Sequence, residues 1–289
     1  MEYGPQYGRG YAFPHPPPPD PPELPEGASP FPRWPAWYGP AALGVGLIVA
    51  FIGAGVLFGI AGGSTSHPKP AVVQIATVLQ DAVFVAAALF FAARTLAPRP
   101  WHFGLRAGRL WRSVGWGALG LVSFFLFGGI YSQLVHVHEK QTIVRDLGAN
   151  DSTVALVGGA LLVIVVAPFA EEFFFRGFFY RALRTRMAVP LAAAVDGVVF
   201  GAIHIGGSPI AVLPVLAVLG FIFCLVYERT GTLFATIAMH ALNNFAAYGA
   251  ATHKWAVAGG VAVVTIGACV TLPGLLPTRP VAARSPAGQ

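Results

Sequence analysis

The sequence predicts an all-α, polytopic membrane protein with about eight transmembrane helices. Three observations carry that expectation. Of the 289 residues, 55% are hydrophobic and 10% charged, whereas a soluble domain carries roughly 25% charged residues. From Trp37 onward, apolar runs recur at the length needed to cross a hydrocarbon layer, about 20 residues each. The basic residues fall mainly in the short segments between those runs. A net charge of +6 would raise the question of nucleic acid in a soluble protein; here membrane topology accounts for it, and no nucleic-acid partner is expected.

Residues 1–36 read as a Pro-rich, disordered cytoplasmic tail. The first 35 residues hold twelve prolines, with Tyr3, Tyr7 and Tyr11 among glycines, a composition that cannot bury a core. A partner of this tail is unknown, and a solvated extension is the simpler reading. No charged-then-apolar opening leads to a small-residue cleavage site, so the first span is expected to be retained. Residues 37–276 form the expected membrane domain, with spans near 41–62, 71–93, 113–135, 153–180, 188–206, 209–228, 232–250 and 255–276. A short cytoplasmic tail, 277–289, follows. Gly55, Gly59 and Gly63 recur at every fourth place of the first run, a pattern suited to close helix packing. Cys224 and Cys269 lie within apolar runs and read as small buried hydrophobes, not as a disulfide or a metal site.

Orientation follows from the loops. With the N-terminus inside, the inner segments hold thirteen Arg and the outer segments only Lys69, Lys140, Arg145 and Lys254. Both termini are therefore expected to be cytoplasmic, in a multi-pass protein of the plasma membrane. The Trp101 to Trp111 stretch, with two Trp around Arg106 and Arg109, is expected along the inner interface.

A charge at mid-bilayer depth costs roughly 2.5–3.5 kcal/mol on insertion scales, so each one must be paired, neutralised or functional. The residues to be explained are Asp81, Glu171, Glu172, Arg176, Asp196, His204 and His240, with Asn244 as an uncharged companion. Glu228 and Arg229, beside Gly231, read as a solvated turn, and His67, His136, His138 and His253 as solvated loop residues. The fourth and fifth runs form a hairpin turning near Met187 to Pro190. Glu171 lies 16 residues before Met187 and His204 lies 16 after Ala188, about 24 Å from the turn on either arm. Equal arms predict that the carboxylate and the imidazole face each other. His240 and Asn244, four residues apart, share one helix face. They join the same layer if the hairpin projects roughly two helical turns beyond its neighbours. Glu172 and Arg176 stand at i and i+4 in the favourable order for an ion pair, whereas Glu171 has no partner in its own helix and is free to act as a base. Asp196 and Asp81, the latter near Gln74 and Gln80, read as packing or interhelical hydrogen-bonding groups.

In order, Glu171-Glu172-Phe173-Phe174-Phe175-Arg176, Phe200-Gly201-Ala202-Ile203-His204 and His240-Ala241-Leu242-Asn243-Asn244 spell EExxxR, FxxxH and HxxxN. Over about residues 150–250 this resembles the CAAX-protease and bacteriocin-processing family of intramembrane peptidases, also called the abortive-infection family. Phe103-Gly104-Leu105-Arg106 is similar to that family's interfacial stretch. The resemblance implies a catalytic helix bundle in the C-terminal half and a peptide-bond hydrolase open to the cytosol. Glu171 and His204 would activate a water, His240 and Asn244 would hold the oxyanion, and Glu172 with Arg176 would brace the site. The implied substrate is a peptide or protein, membrane-associated or lipidated, with membrane lipid around it. A glutamate-dependent mechanism without a cofactor is expected. The alternative is a Zn enzyme using Glu171, His204 and His240 as ligands. Two further alternatives stand beside these: a proton-linked transporter, although repeat-related halves are not evident, and a non-catalytic scaffold or immunity protein.

Overall fold

Inside a bilayer every backbone N–H and C=O needs a partner within the chain, and a helix supplies one. A computed structural model describes residues 32–61, 69–136 and 143–276; the two tails expected at the ends lie largely outside them. Among the described residues the regular structure is helical, apart from a lone bridge between Ile205 and Ser208. The helices are α1 (Tyr38–Ile60), α2 (Pro70–Ala93), α3 (Pro100–Phe103), α4 (Leu110–Val135), α5 (Ile143–Asp146), α6 (Thr153–Leu183), α7 (Val189–Ala202), α8 (Leu213–Thr230), α9 (Leu233–Thr252) and α10 (Trp255–Thr271). Phe51, Ile60, Trp111 and Val263 are among the large apolar side chains left on the outside, as expected of a surface whose solvent is lipid.

Among the described residues, six helices are long and apolar enough to cross a membrane: α1, α2, α4, α6, α8 with its 3₁₀ lead (Ile210–Thr230) and α10 with its 3₁₀ end (Trp255–Leu275). The fold is thus an all-α polytopic membrane protein, but the expected eight spans are reached only in part. The run at 188–206 yields α7, which is 14 residues and about 21 Å long, short of a hydrocarbon layer about 30 Å thick. The run at 232–250 yields α9, long enough at 20 residues but diluted by Thr236, His240, Asn243 and Asn244. These two helices carry the polar motifs.

The helix α6 is continuous but not regular. It widens into π-helical turns at Leu162–Val166 and again at Phe173–Phe179, on either side of Ala167–Glu172. Pro168 gives a local cause for the first: it has no N–H and crowds the carbonyl four residues earlier. The next turn, between α6 and α7, falls at residues 184–188, where the sequence places it. From there α7 runs against α8 with backbones in contact. A Cβ at Gly197 would meet the Ala217 carbonyl at 2.5 Å, and one at Gly201 the Leu213 carbonyl at 2.7 Å.

The glycine repeat of α1 does not make the contact expected of it. Gly55 and Gly59 have nothing within 4 Å of a built Cβ, and Gly63 lies outside the described residues. Packing on α2 uses Gly46 against Phe84 and Gly53 against Leu79, a face seven residues apart that points away from the expected one.

At the arginine-bearing end, the stretch expected along the interface is stitched to the α8–α9 turn. Tyr227 donates to the Phe103 carbonyl (3.0 Å), Leu233 N–H to Gly104 (2.9 Å), Thr232 to Arg106 (2.7 Å) and Arg106 Nε to Gly231 (2.6 Å). Trp34, fully buried, packs on Phe103 and Phe178, and Thr185 donates to its carbonyl. Nor is Glu228 merely a solvated turn residue: it accepts from Tyr180 and from Arg184, each at 3.0 Å.

Two substitutions separate the real helix contact from the apparent one. Gly197→Val overpacks the α7–α8 seam and should cost about 1–3 kcal/mol, read as a lowered melting temperature in detergent. Gly55→Ala should be neutral or stabilise by up to about 1 kcal/mol.

Candidate active site

A single cation anchors the meeting point of α6, α7, α8 and α9. Arg176, with none of its surface exposed, puts Nη1 2.9 Å from Glu172 Oε1, and its Nη2 donates to the Gly220 carbonyl at 3.0 Å. The same Nη2 lies 3.5 Å from Asp196 Oδ1, which also accepts from the Cys224 thiol at 3.2 Å. Phe200 and Phe223 present ring faces to the guanidinium at 4.4 and 4.9 Å. An arginine buried among aromatic rings is tolerable because its planar fork can serve two carboxylates and a carbonyl at once. Asp196 is therefore an interhelical ion-pair partner.

Glu172 extends the network to α9. Its Oε1 lies 3.1 Å from His240 Nδ1; an oxygen already bound to Arg176 as a carboxylate can only accept, so Nδ1 carries the proton. That fixes the ring and turns Nε2 towards Glu171, 3.9 Å from Oε2. The Glu171 side chain keeps 17% of its surface exposed, yet Oε2 is buried without a hydrogen-bond partner. The glutamate pair is thus divided: Glu172 is bound by Arg176 and His240 through Oε1, and Glu171 keeps a partly exposed side chain, while each retains an Oε2 without a hydrogen-bond partner.

One turn on, the side-chain amide of Asn244 donates to the Val163 carbonyl at 2.8 Å. Val163 belongs to the first widened turn of α6, where the regular i to i+4 pairing is interrupted. Asn243 donates to Asn244 Oδ1 at 3.1 Å and so fixes which way that amide points. One of the two Asn244 N–H groups is left for another acceptor.

His204 is held at the end of α7. It stands in the turn after α7, its Nδ1 2.7 Å from the Phe200 carbonyl, and among the described residues no ion pair joins it to Glu171. Because a carbonyl only accepts, Nδ1 is the protonated nitrogen and Nε2 keeps a lone pair. The Phe200 ring touches both imidazoles, with centroids 5.0 Å from His204 and 6.0 Å from His240.

Two features of the backbone alter the equal-arm count. Seven residues between Glu171 and the turn are π-helical and rise less per residue than an α-helix, and α7 ends at Ala202, before His204. Nor does the hairpin need to project: Arg184 meets Glu228 at 3.0 Å, which sets the two turns level. Glu171 lies thirteen residues before Arg184, and His240 twelve after Glu228. With the turns held level, these similar counts put the two residues at comparable depth, where His240 Nε2 comes within 3.9 Å of Glu171 Oε2.

The three residues named as alternative zinc ligands do not form a set. Glu171 and His240 approach each other at 3.9 Å, but among the described residues no three His, Cys, Asp or Glu groups converge as metal ligands. No step is derived through a metal. Sequence reasoning left two participants unassigned, Asp196 as the second anion on Arg176 and Asn243 as the brace of Asn244. The adjacent Asn243-Asn244 pair was the available signal for the second.

Compared with known proteins, residues 153–246 match the family model described as Rce1-like, type II CAAX prenyl endopeptidase. That segment contains all three motifs, and the resemblance to the CAAX-protease and bacteriocin-processing family is shown over it. Among curated proteins, the uncharacterized protein YyaK of Bacillus subtilis (strain 168) is 26% identical over 190 residues, covering 62% of this chain and 62% of that protein. The match thus spans less than two thirds of YyaK. No solved structure matches the chain.

Removing the cation should expose how much depends on it. Arg176→Met leaves two buried carboxylates without a counter-charge and is expected to destabilise the fold by about 3–5 kcal/mol, measured by thermal unfolding in detergent. Asn243→Ala, which removes one partly buried hydrogen bond, should cost about 0.5–1.5 kcal/mol.

Proposed function

We propose that this membrane protein, Rce1-like over its motif-bearing segment, is an intramembrane endopeptidase that hydrolyses a peptide bond by a glutamate-activated water. Its substrate is a membrane-associated or lipidated peptide or protein, reached from the cytoplasmic side of the plasma membrane, with both termini of the enzyme on that side. The observation that carries the proposal is the unused Oε2 of Glu171, 3.9 Å from an imidazole whose other nitrogen is fixed.

Glu171 takes a proton from a water lodged against Oε2, and the resulting hydroxide attacks the carbonyl carbon of the scissile bond. The oxyanion that forms is met by the second N–H of Asn244 and, when His240 carries both its protons, by Nε2–H. Collapse breaks the C–N bond, and the proton held by Glu171 passes to the leaving amine. His204, whose Nε2 keeps its lone pair, is the second proton carrier at the open end of the site. Glu172, Arg176 and Asp196 touch no reacting atom; they hold His240 in place. A pre-set arrangement of this kind does not have to reorganise when charge develops.

Glu171→Ala and His204→Ala should each abolish cleavage while the protein still inserts and folds, and Asn244→Ala should lower kcat by about 10²–10³-fold. Comparative proteomics of membranes holding wild type or Glu171→Ala would reveal the substrates, and identical fragment patterns would sink the mechanism. A metal assay on purified protein addresses the alternative. Stoichiometric Zn, with activity lost on chelation and restored by Zn, would replace the metal-free reading.

A further inference from the structure

A cleft of about 480 Å³ lies between α2 and α6, lined by Val78, Ala82, Val85, Val166 and Phe169, with Asp81 in its wall. Its rim faces outward, since Val78, Val166 and Phe169 are exposed, so the cleft opens on the lipid side. Its lining includes Ala170, the residue before Glu171. Apolar walls alone would be filled by lipid tails. Asp81 makes this cleft different: it is 3% exposed, and its Oδ2 is buried with no hydrogen-bond partner. A hydrocarbon chain has no donor to offer that oxygen.

One occupant lacks the matching half of the bond. A peptide must be unwound around the bond to be cut, and in a bilayer its freed N–H groups have no water to bind, at a cost of several kcal/mol each. We propose that the α2–α6 cleft receives an unwound apolar segment of the peptide substrate, and that Asp81 accepts a hydrogen bond from the segment's backbone N–H. This rests on the peptidase reading and adds a binding subsite to it. Val85, Val166 and Phe169 contact apolar side chains of the segment, while Ala82 and Ala86 leave room for its backbone. The carboxyl keeps an acceptor oxygen whether or not it is protonated. Asp81 is a binding residue in this scheme and takes no part in proton transfer.

The test uses the full chain in phosphatidylcholine liposomes and two light-activated probes. One is a 20-residue Leu/Ala peptide with a central Gly-Asn-Gly break and a diazirine beside it; the other is phosphatidylcholine with a diazirine in its acyl chain. The peptide should label α2 and α6 within the cleft. That labelling should fall about tenfold in Asp81→Leu and stay within about threefold of wild type in Asp81→Asn, which keeps an acceptor. Ala86→Trp should block it, and Ile130→Trp, outside the cleft on α4, should not. Equal peptide labelling in wild type and Asp81→Leu would overturn the proposal, as would a lipid probe that displaces the peptide from the cleft. If Asp81→Leu does not fold, Ala86→Trp against Ile130→Trp decides. Labelling needs no hydrolysis, so the two readings fail separately: intact cleavage in Glu171→Ala defeats the peptidase, and unselective labelling defeats the subsite.

Discussion

A guanidinium with no access to water holds the C-terminal half of this protein together. Arg176 joins α6 to α7 through Asp196 and to α8 through the Gly220 carbonyl, and through Glu172 it fixes His240 on α9. Each carboxylate would be prohibitively costly in this surrounding without the cation, and the cation without them. Three aromatic faces, those of Phe175, Phe200 and Phe223, close over it. Such a network tolerates few alternative geometries, because loosening any one bond strands a charge in an apolar medium. Its rigidity leaves Glu171 as the acid that is not already committed.

Much of this was legible in the sequence. The intrahelical pair of Glu172 and Arg176 follows from their spacing, as does the shared face of His240 and Asn244, since both depend only on the period of one helix. The hairpin turn was marked by Pro190. What was not legible depended on depth between helices. Counting residues assumes a constant rise, and α6 departs from it twice, so the approach of Glu171 to His240 was not countable along the chain. Likewise the Gly55 and Gly59 repeat is a pattern within one helix that does not say which face meets α2; Gly46 and Gly53 do that instead. Span counting by apolar length also missed that two of the three motifs lie on or beside helices too short or too polar to pass as spans, while EExxxR lies on the long α6.

Each short contact at the arginine-bearing end serves the same geometry. Tyr180 and Arg184 on Glu228, and the stitches from Phe103, Gly104 and Arg106 to the α8–α9 turn, set the two helix pairs level. A slip of one helical turn there, about 5.4 Å, would separate Glu171 from His240. The surface network is thus as much a part of the site as the buried one, although none of its members approaches the reacting atoms.

The widened turn at Leu162–Val166 has a meaning for the gene as well as for the fold. A π-helical turn accommodates one more residue than the α-helix around it, so the coding sequence of α6 holds, in effect, one codon of slack. Losing that codon would leave a longer stretch of regular helix and few broken contacts at the point of deletion. Losing a codon from the regular turns of α6 would instead swing everything beyond it by about 100°, carrying Glu171 and Glu172 off their partners. Single-codon loss in α6 would therefore be far better tolerated at this turn than in the regular turns beside it.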